Sequence, residues 1–277
     1  MPTSTADAPQ RDGRTSPASE VLIVGNWKMN GLAKDLEEAR SVARALVDHP
    51  SDAKIVICPP ATLVAQMAKS LRGGVAVGGQ NCHEQAGGAF TGEVSAAMLA
   101  DAGARYVILG HSERRAAFGE TNRQVAAKVV AAIGAGLEPI ICVGETLAER
   151  DAGQTLHVLR RQVAGSTPDE LIGQRFAIAY EPVWAVGTDH TPGPSDIVAA
   201  HTAIRAVLAA RFGAYGSRAP ILYGGSVNAT DARQIIELDG VSGLLVGRAS
   251  VRVEDFLPLI RAVDGLADPV GDGQTAP

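Results

Sequence analysis

Apolar and polar positions alternate along this chain on two length scales. Short, nearly continuous apolar runs of strand length recur, each followed by a longer stretch whose apolar residues return every three or four positions. The runs are VLIVGN from Val21, KIVICPP from Lys54, VAVGGQN from Val75, RYVILG from Arg105, EPIICVG from Glu138, FAIAYEP from Phe176, ILYGG from Ile221 and GLLVG from Gly243. Helical periodicity marks Leu32 to Val47, Leu63 to Leu71, Ser95 to Ala102, Asn122 to Ala135, Thr146 to Val163, Ser195 to Arg211, Ala229 to Leu238 and Glu254 to Val263. Apolar strands separated by helices predict a parallel sheet covered on its faces, because a parallel crossover takes a dozen or more residues. Eight such units predict a closed (β/α)8 barrel, an α/β fold in one domain. A doubly wound open sheet is the alternative, but no G-x-G-x-x-G follows the first run and no G-x-x-x-x-G-K-[ST] is present.

In a barrel of this kind the chemistry gathers where strands run into the following loops. The polar residues of this chain fall there. The first run ends in Asn26 and Lys28, the third in Gln80 and Asn81, the fourth in His111, Ser112 and Glu113, and the fifth near Glu145. The sixth ends at Glu181, the seventh in Gly224-Gly225-Ser226 and the eighth in Gly247-Arg248. Glu181, between FAIAY and Pro-Val-Trp, reads either as a structural ion-pair partner or as a base whose partial burial raises its pKa. His111 reads as a satisfied core histidine or as a catalytic group. Lys28, next to Trp27, is a solvated lysine or a fixed cation for an anionic substrate. His49, His83, His157, His190 and His201 fall in loops or on helical faces and read as surface residues. The glycines at the ends of the seventh and eighth runs suit tight turns, and they equally suit a phosphate held by consecutive N–H groups.

Composition adjusts this picture only modestly. With 25 Lys+Arg against 30 Asp+Glu the net charge is −5, which excludes binding of nucleic acid through a bulk positive field. Aromatic residues make up 4% against 46% hydrophobic, so the core is built from aliphatic side chains. Cys58, Cys82 and Cys142 are odd in number and lack C-x-x-C spacing, which predicts neither disulfides nor a zinc site and fits a reducing cytoplasm. Residues 1–20 are polar and hold no apolar block of signal-peptide length, and no run of 18 apolar residues occurs. These residues and the Gly/Pro/Asp-rich tail 265–277 are expected to be disordered extensions flanking one domain over 21–264.

The strings GNWKMNG at 25, GAFTGE at 88, ILGHSERR at 108, AYEPVWAVGT at 179, YGGSV at 223 and LVG at 245 stand in one order along nearly the whole chain between its ends. In these residues the chain resembles the triosephosphate isomerase family. The resemblance implies an isomerase of dihydroxyacetone phosphate and glyceraldehyde 3-phosphate that works in glycolysis and gluconeogenesis and needs no metal or organic cofactor. It implies Glu181 as the base at carbon, His111 as a neutral imidazole polarising the carbonyl, Lys28 stabilising negative charge, Asn26 bonding a substrate oxygen and Glu113 ordering the network. Gly187, Ser226, Gly247 and the backbone of Arg248 would hold the phosphate. Pro182, Val183, Trp184, Ala185, Val186, Gly187 and Thr188 would form a mobile lid. A homodimer is implied through the loop Cys82 to Thr91.

Two stretches depart from the family pattern. Gly247-Arg248-Ala249-Ser250 replaces Gly-Gly-Ala-Ser, which sets an arginine side chain near the rim. Gly187-Thr188-Asp189-His190-Thr191-Pro192 replaces Gly-Thr-Gly-Lys-Thr at the far hinge of the lid. Both changes would suit an isomerase of a four-carbon ketose phosphate, and a non-catalytic phosphate-binding barrel is a further alternative. The joint presence of Asn26, Lys28, His111 and Glu181 argues against the latter.

Overall fold

The computed structural model describes residues 21–71, 74–185 and 192–266. Residues 1–20 and the tail beyond 266 lie outside the described residues, as do Val186, Gly187 and Thr188 of the expected lid and Asp189 and His190 of its hinge. Eight parallel strands close on themselves: β1 (Leu22–Asn26), β2 (Lys54–Cys58), β3 (Ala76–Gly79), β4 (Tyr106–Leu109), β5 (Glu138–Val143), β6 (Ala177–Tyr180), β7 (Ile221–Tyr223) and β8 (Gly243–Val246). Each pairs with its neighbours in sequence order, and Leu22 of β1 registers with both Lys54 of β2 and Gly243 of β8, which completes the ring.

The period of two along each strand splits the buried residues into two cores. Val24, Cys58, Ile108, Cys142, Ala179 and Leu245 point inward and fill the barrel. Ile23, Ile57, Val107, Ile141, Ile178 and Leu244 point outward against the helices. Because both faces are buried, every strand position favours an apolar residue, which is why the runs read as continuous. Fully burying one such aliphatic side chain contributes about 1.5–3 kcal/mol.

Ten helices surround the strands among the described residues: α1 (Leu36–Asp48), α2 (Ala61–Ser70), α3 (Ala96–Asp101), α4 (Ser112–Phe118), α5 (Asn122–Gly134), α6 (Leu147–Asp151), α7 (Thr155–Ser166), α8 (Pro194–Gly216), α9 (Ala232–Ile236) and α10 (Val253–Ala262). The pattern of one helix per strand misses α4 and merges α6 with α7. The continuous helix expected over Thr146 to Val163 breaks at Gly153, whose φ of 68° lies in the left-handed region. Helix α8 is long and apolar enough to cross a membrane by length and composition, yet its stripe Ile197, Ala200, Ile204 and Leu208 is buried in the outer core, against the barrel. At the other end, Gly265 donates its N–H to Asp52 and Leu266 packs on the outer core.

His201, expected at the surface, is fully buried on that same α8 stripe. Its position four residues after Ile197 and three before Ile204 places it there. Nδ1–H donates to the Gly240 carbonyl at 3.1 Å, and Nε2 has no partner among the described residues. Burial, with the charge of Arg205, outweighs that hydrogen bond and pulls its pKa to about 4 from the usual 6.5. The unfolded chain therefore takes up this proton first, and stability is lost as the pH falls from 6.5 towards 4. The full loss is about 3 kcal/mol. Urea titrations at pH 7.5 and pH 5 are expected to show wild type losing roughly 2 kcal/mol more than His201→Gln does over that interval. An equal loss in both would remove His201 as the cause.

Candidate active site

The C-terminal ends of β1, β4, β6, β7 and β8 open into one cavity of about 1050 Å³, bordered by Asn26, Lys28, His111, Glu181, Ser226 and Gly247. After β1 the chain turns sharply. Trp27 is buried and donates its indole N–H to the Ser250 carbonyl at 2.9 Å, which ties this turn to the one after β8. Lys28 then adopts φ 53°, a left-handed conformation that costs a non-glycine residue about 1–3 kcal/mol. The turn is held from both sides: Asn26 Oδ1 accepts the Lys28 N–H at 3.0 Å, and Gln80 Nε2 donates to the carbonyls of Lys28 and Cys58 at 2.9 and 2.8 Å. The Lys28 ammonium is thereby aimed into the cavity, 2.6 Å from Glu113 Oε1.

His111 caps the N-terminus of α4, and its Nδ1 accepts the Glu113 N–H at 3.2 Å. A ring nitrogen that accepts a hydrogen bond carries no proton, so the imidazole's hydrogen sits on Nε2. Nε2 donates to Glu181 Oε1 at 2.8 Å, and the Ser112 N–H donates to Glu181 Oε2 at 2.9 Å. Burial alone would raise the Glu181 carboxyl and lower the imidazole. Their mutual attraction outweighs burial, holding Glu181 below the usual carboxylate range and drawing His111 up, with Ser112 and Lys28 adding to the effect on Glu181. The raised pKa expected for Glu181 from burial is thus reversed by a partner two strands away around the ring. The carboxylate is ionised, dry and parked against His111.

The backbone at Glu181 is clamped. Its N–H donates to the Val143 carbonyl at 2.8 Å, and the next strand follows with the Gly224 N–H on Tyr180. Gly144 crosses directly over it: a Cβ there would lie 1.7 Å from the Glu181 carbonyl oxygen. Gly144→Ala is therefore expected to cost about 1–3 kcal/mol of stability and to displace Glu181. Urea unfolding and steady-state turnover would read both effects, and wild-type values for each would show that the contact relaxes freely.

Beyond Glu181, Pro182 leads into a single 3₁₀ turn, Val183–Ala185. Trp184 donates its indole N–H to Glu145 Oε1 at 2.8 Å, the Tyr180 hydroxyl donates to the same oxygen at 3.2 Å, and the Arg150 guanidinium lies 3.9 Å over the indole. Glu145 is buried at the end of β5, which pushes its carboxyl up. Ser226 Oγ donates to the Ala185 carbonyl at 2.9 Å, so the loop after β7 touches the stem of the expected lid. Gly247 lies beside Lys28, where an added Cβ would stand in ordinary contact 3.6 Å from Lys28 Cε, and Ser250 Oγ donates to its carbonyl at 2.7 Å. Arg248 borders the same cavity, is exposed and makes no ion pair among the described residues.

The structure therefore brings Asn26, Lys28, His111, Glu113, Glu181, Ser226, Gly247 and Arg248 to one rim, with Gly187 outside the described residues. Three contributors are absent from the sequence reading as site residues. Gln80 holds the strained turn and Glu145 anchors Trp184. Arg115, through hydrogen bonds to the carbonyls of Gly110 and Cys142 and to Asn122 and Ser166, locks the ends of β4 and β5. Polar residues at strand ends were the available signal for the first two.

Comparison with known proteins gives a consistent result. The family model described as triosephosphate isomerase matches residues 21–263. The triosephosphate isomerase of Caulobacter vibrioides is 51% identical over 250 residues, covering 90% of this chain and 99% of that protein. The triosephosphate isomerase of Jannaschia sp. is 52% identical over 245 residues, covering 87% and 97%. Among solved structures, the triosephosphate isomerase of Bartonella henselae superposes with a TM-score of 0.82 at 42% identity, covering 88% of this chain and 98% of that one.

Proposed function

The chain belongs to the triosephosphate isomerase family, and from that premise we propose how its rim residues carry the isomerisation of dihydroxyacetone phosphate and glyceraldehyde 3-phosphate, a step of glycolysis and gluconeogenesis. Residues 21–264 form the isomerase domain. The single observation that carries the assignment is the Glu181–His111 pair, a buried carboxylate held by the His111 Nε2–H at 2.8 Å and by the Ser112 N–H at 2.9 Å. In that position the carboxylate is stored rather than used. Substrate entry turns it towards the carbon beside the carbonyl, where it removes a proton and later returns it to the adjacent carbon.

As Glu181 leaves, His111 loses the neighbour that draws its proton affinity up, and the Glu113 N–H on Nδ1 keeps the ring neutral. Its Nε2–H is then free to bond the substrate carbonyl oxygen and to pass a proton between the two oxygens of the enediolate. The Lys28 ammonium stabilises the developing oxyanion. Asn26 acts chiefly through the Lys28 backbone, and Glu113 steers the ammonium. The substrate's own carbonyl takes up the electron pair, so the reaction asks for no cofactor.

The N–H groups of the loops after β7 and β8, with Ser226, Gly247 and Arg248, bind the phosphate together with Gly187 of the lid Pro182 to Thr188. The anchoring of Trp184 by Glu145 supports a fixed near hinge for that lid. A homodimer is supported by exposed apolar residues: Met29, Phe90 and Met98, with the His83 and Phe90 rings 4.1 Å apart in the loop Cys82 to Thr91. Three buried free cysteines suit a reducing cytoplasm. The test is a coupled assay with glyceraldehyde 3-phosphate beside the erythrulose phosphates. High turnover on the triose supports the reading; preference for a four-carbon substrate overturns it.

A further inference from the structure

A second cavity, of about 410 Å³, opens at the opposite mouth of the barrel, where the strands begin. That volume falls within the range of small-ligand pockets. Its inner surface is apolar and aromatic, formed by Tyr106, Ile140 and Phe176, each nearly or fully buried. Its border is cationic. Lys54 comes from the start of β2, Arg175 from the approach to β6 and Arg218 from the turn after α8, and together they face one carboxylate, Glu138. Among the described residues none of these three cations makes an ion pair, whereas Arg44, Arg161, Arg211 and Arg252 on the surrounding surface all do. The Lys54 ammonium instead lies 5.3 Å above the Tyr106 ring, a cation–π contact at the cavity wall.

An apolar body and a single negative charge would complement both parts of this cavity. The excess positive charge excludes cations, the aromatic wall gives a small inorganic anion nothing to displace water from, and the planar guanidinium groups match a carboxylate. We propose that the mouth of the barrel at the strand N-termini is a binding site for a small aromatic carboxylate, separate from the catalytic rim. The ring of the ligand enters against Tyr106 and Phe176, and the carboxylate meets Lys54 and Arg218.

Titration calorimetry of the full chain with 2-naphthoate and with the neutral 2-naphthalenemethanol tests this site. Hydrogen bonds to a charged group predict at least roughly tenfold tighter binding of the acid. The double variant Lys54→Gln/Arg218→Gln, whose side chains lie away from the catalytic rim, should lose about that tenfold while keeping wild-type kcat, which also reports an intact fold. Inorganic phosphate, a competitor for the catalytic rim, should leave the naphthoate titration unchanged. Absence of binding, equal affinity for acid and alcohol, displacement by phosphate or full affinity in the double variant would each overturn the proposal.

Discussion

Glu181→Asp is expected to lower kcat about 100-fold while KM stays within a few fold of wild type. Removing one methylene withdraws the carboxylate by about 1 Å, and an error of that size in a proton-transfer geometry is worth roughly two orders of magnitude. A looser backbone would shift to compensate. Here the Glu181 N–H is bound to the Val143 carbonyl, Gly144 passes too close to its carbonyl to admit a Cβ, and the Gly224 N–H holds Tyr180 just before it. The loops after β7 and β8, proposed to hold the phosphate, are untouched, so ground-state binding is expected to persist and the loss to fall on the chemical step. Steady-state kinetics in both directions would measure it. Turnover within twofold of wild type would remove Glu181 from the role of base.

His111→Gln is expected to reduce kcat by about 10² to 10⁴. In the proposed mechanism the ring does two jobs that a carboxamide cannot combine. Its Nε2–H polarises an oxygen, and the same nitrogen exchanges that proton during the transfer between oxygens. The substitution also removes the acceptor of the Glu113 N–H at the start of α4, a cap worth about 1 kcal/mol. The fold tolerates that loss, because β4 and β5 remain tied by the half-buried Arg115. The signature is thus a collapse of turnover with a small change in Tm, measured by parallel kinetics and thermal unfolding. A fall in kcat of less than tenfold would assign the polarising role elsewhere.

The barrel was legible because burial on both faces writes each strand as an unbroken apolar run, and eight runs at regular spacing leave one simple closure. Less regular elements escaped. Helix α4, SERRAAF, carries no apolar stripe and exists because His111 caps it and Gly119 ends it in a left-handed turn. His201 sits at core spacing on α8, and reading it as a surface residue let its polarity override its position. The residues gathered at the rim were readable from polar residues at strand ends, but their electrostatics were not. The direction of the Glu181 shift depends on His111, and the strain at Lys28 depends on Asn26 and Gln80, contacts that only closure of the ring creates.

The proposed role of Glu181 is to carry a proton to and from carbon. It is tested most directly by following dihydroxyacetone phosphate by proton NMR in deuterium oxide, with wild type and with Glu181→Gln. Wild type should introduce deuterium at the carbon-bound position as the triose phosphates interconvert, because a carboxyl that holds the proton exchanges it with solvent. Glu181→Gln should still bind the substrate and introduce none. Deuterium entering at the wild-type rate in the Gln variant would assign the proton transfer at carbon to another group.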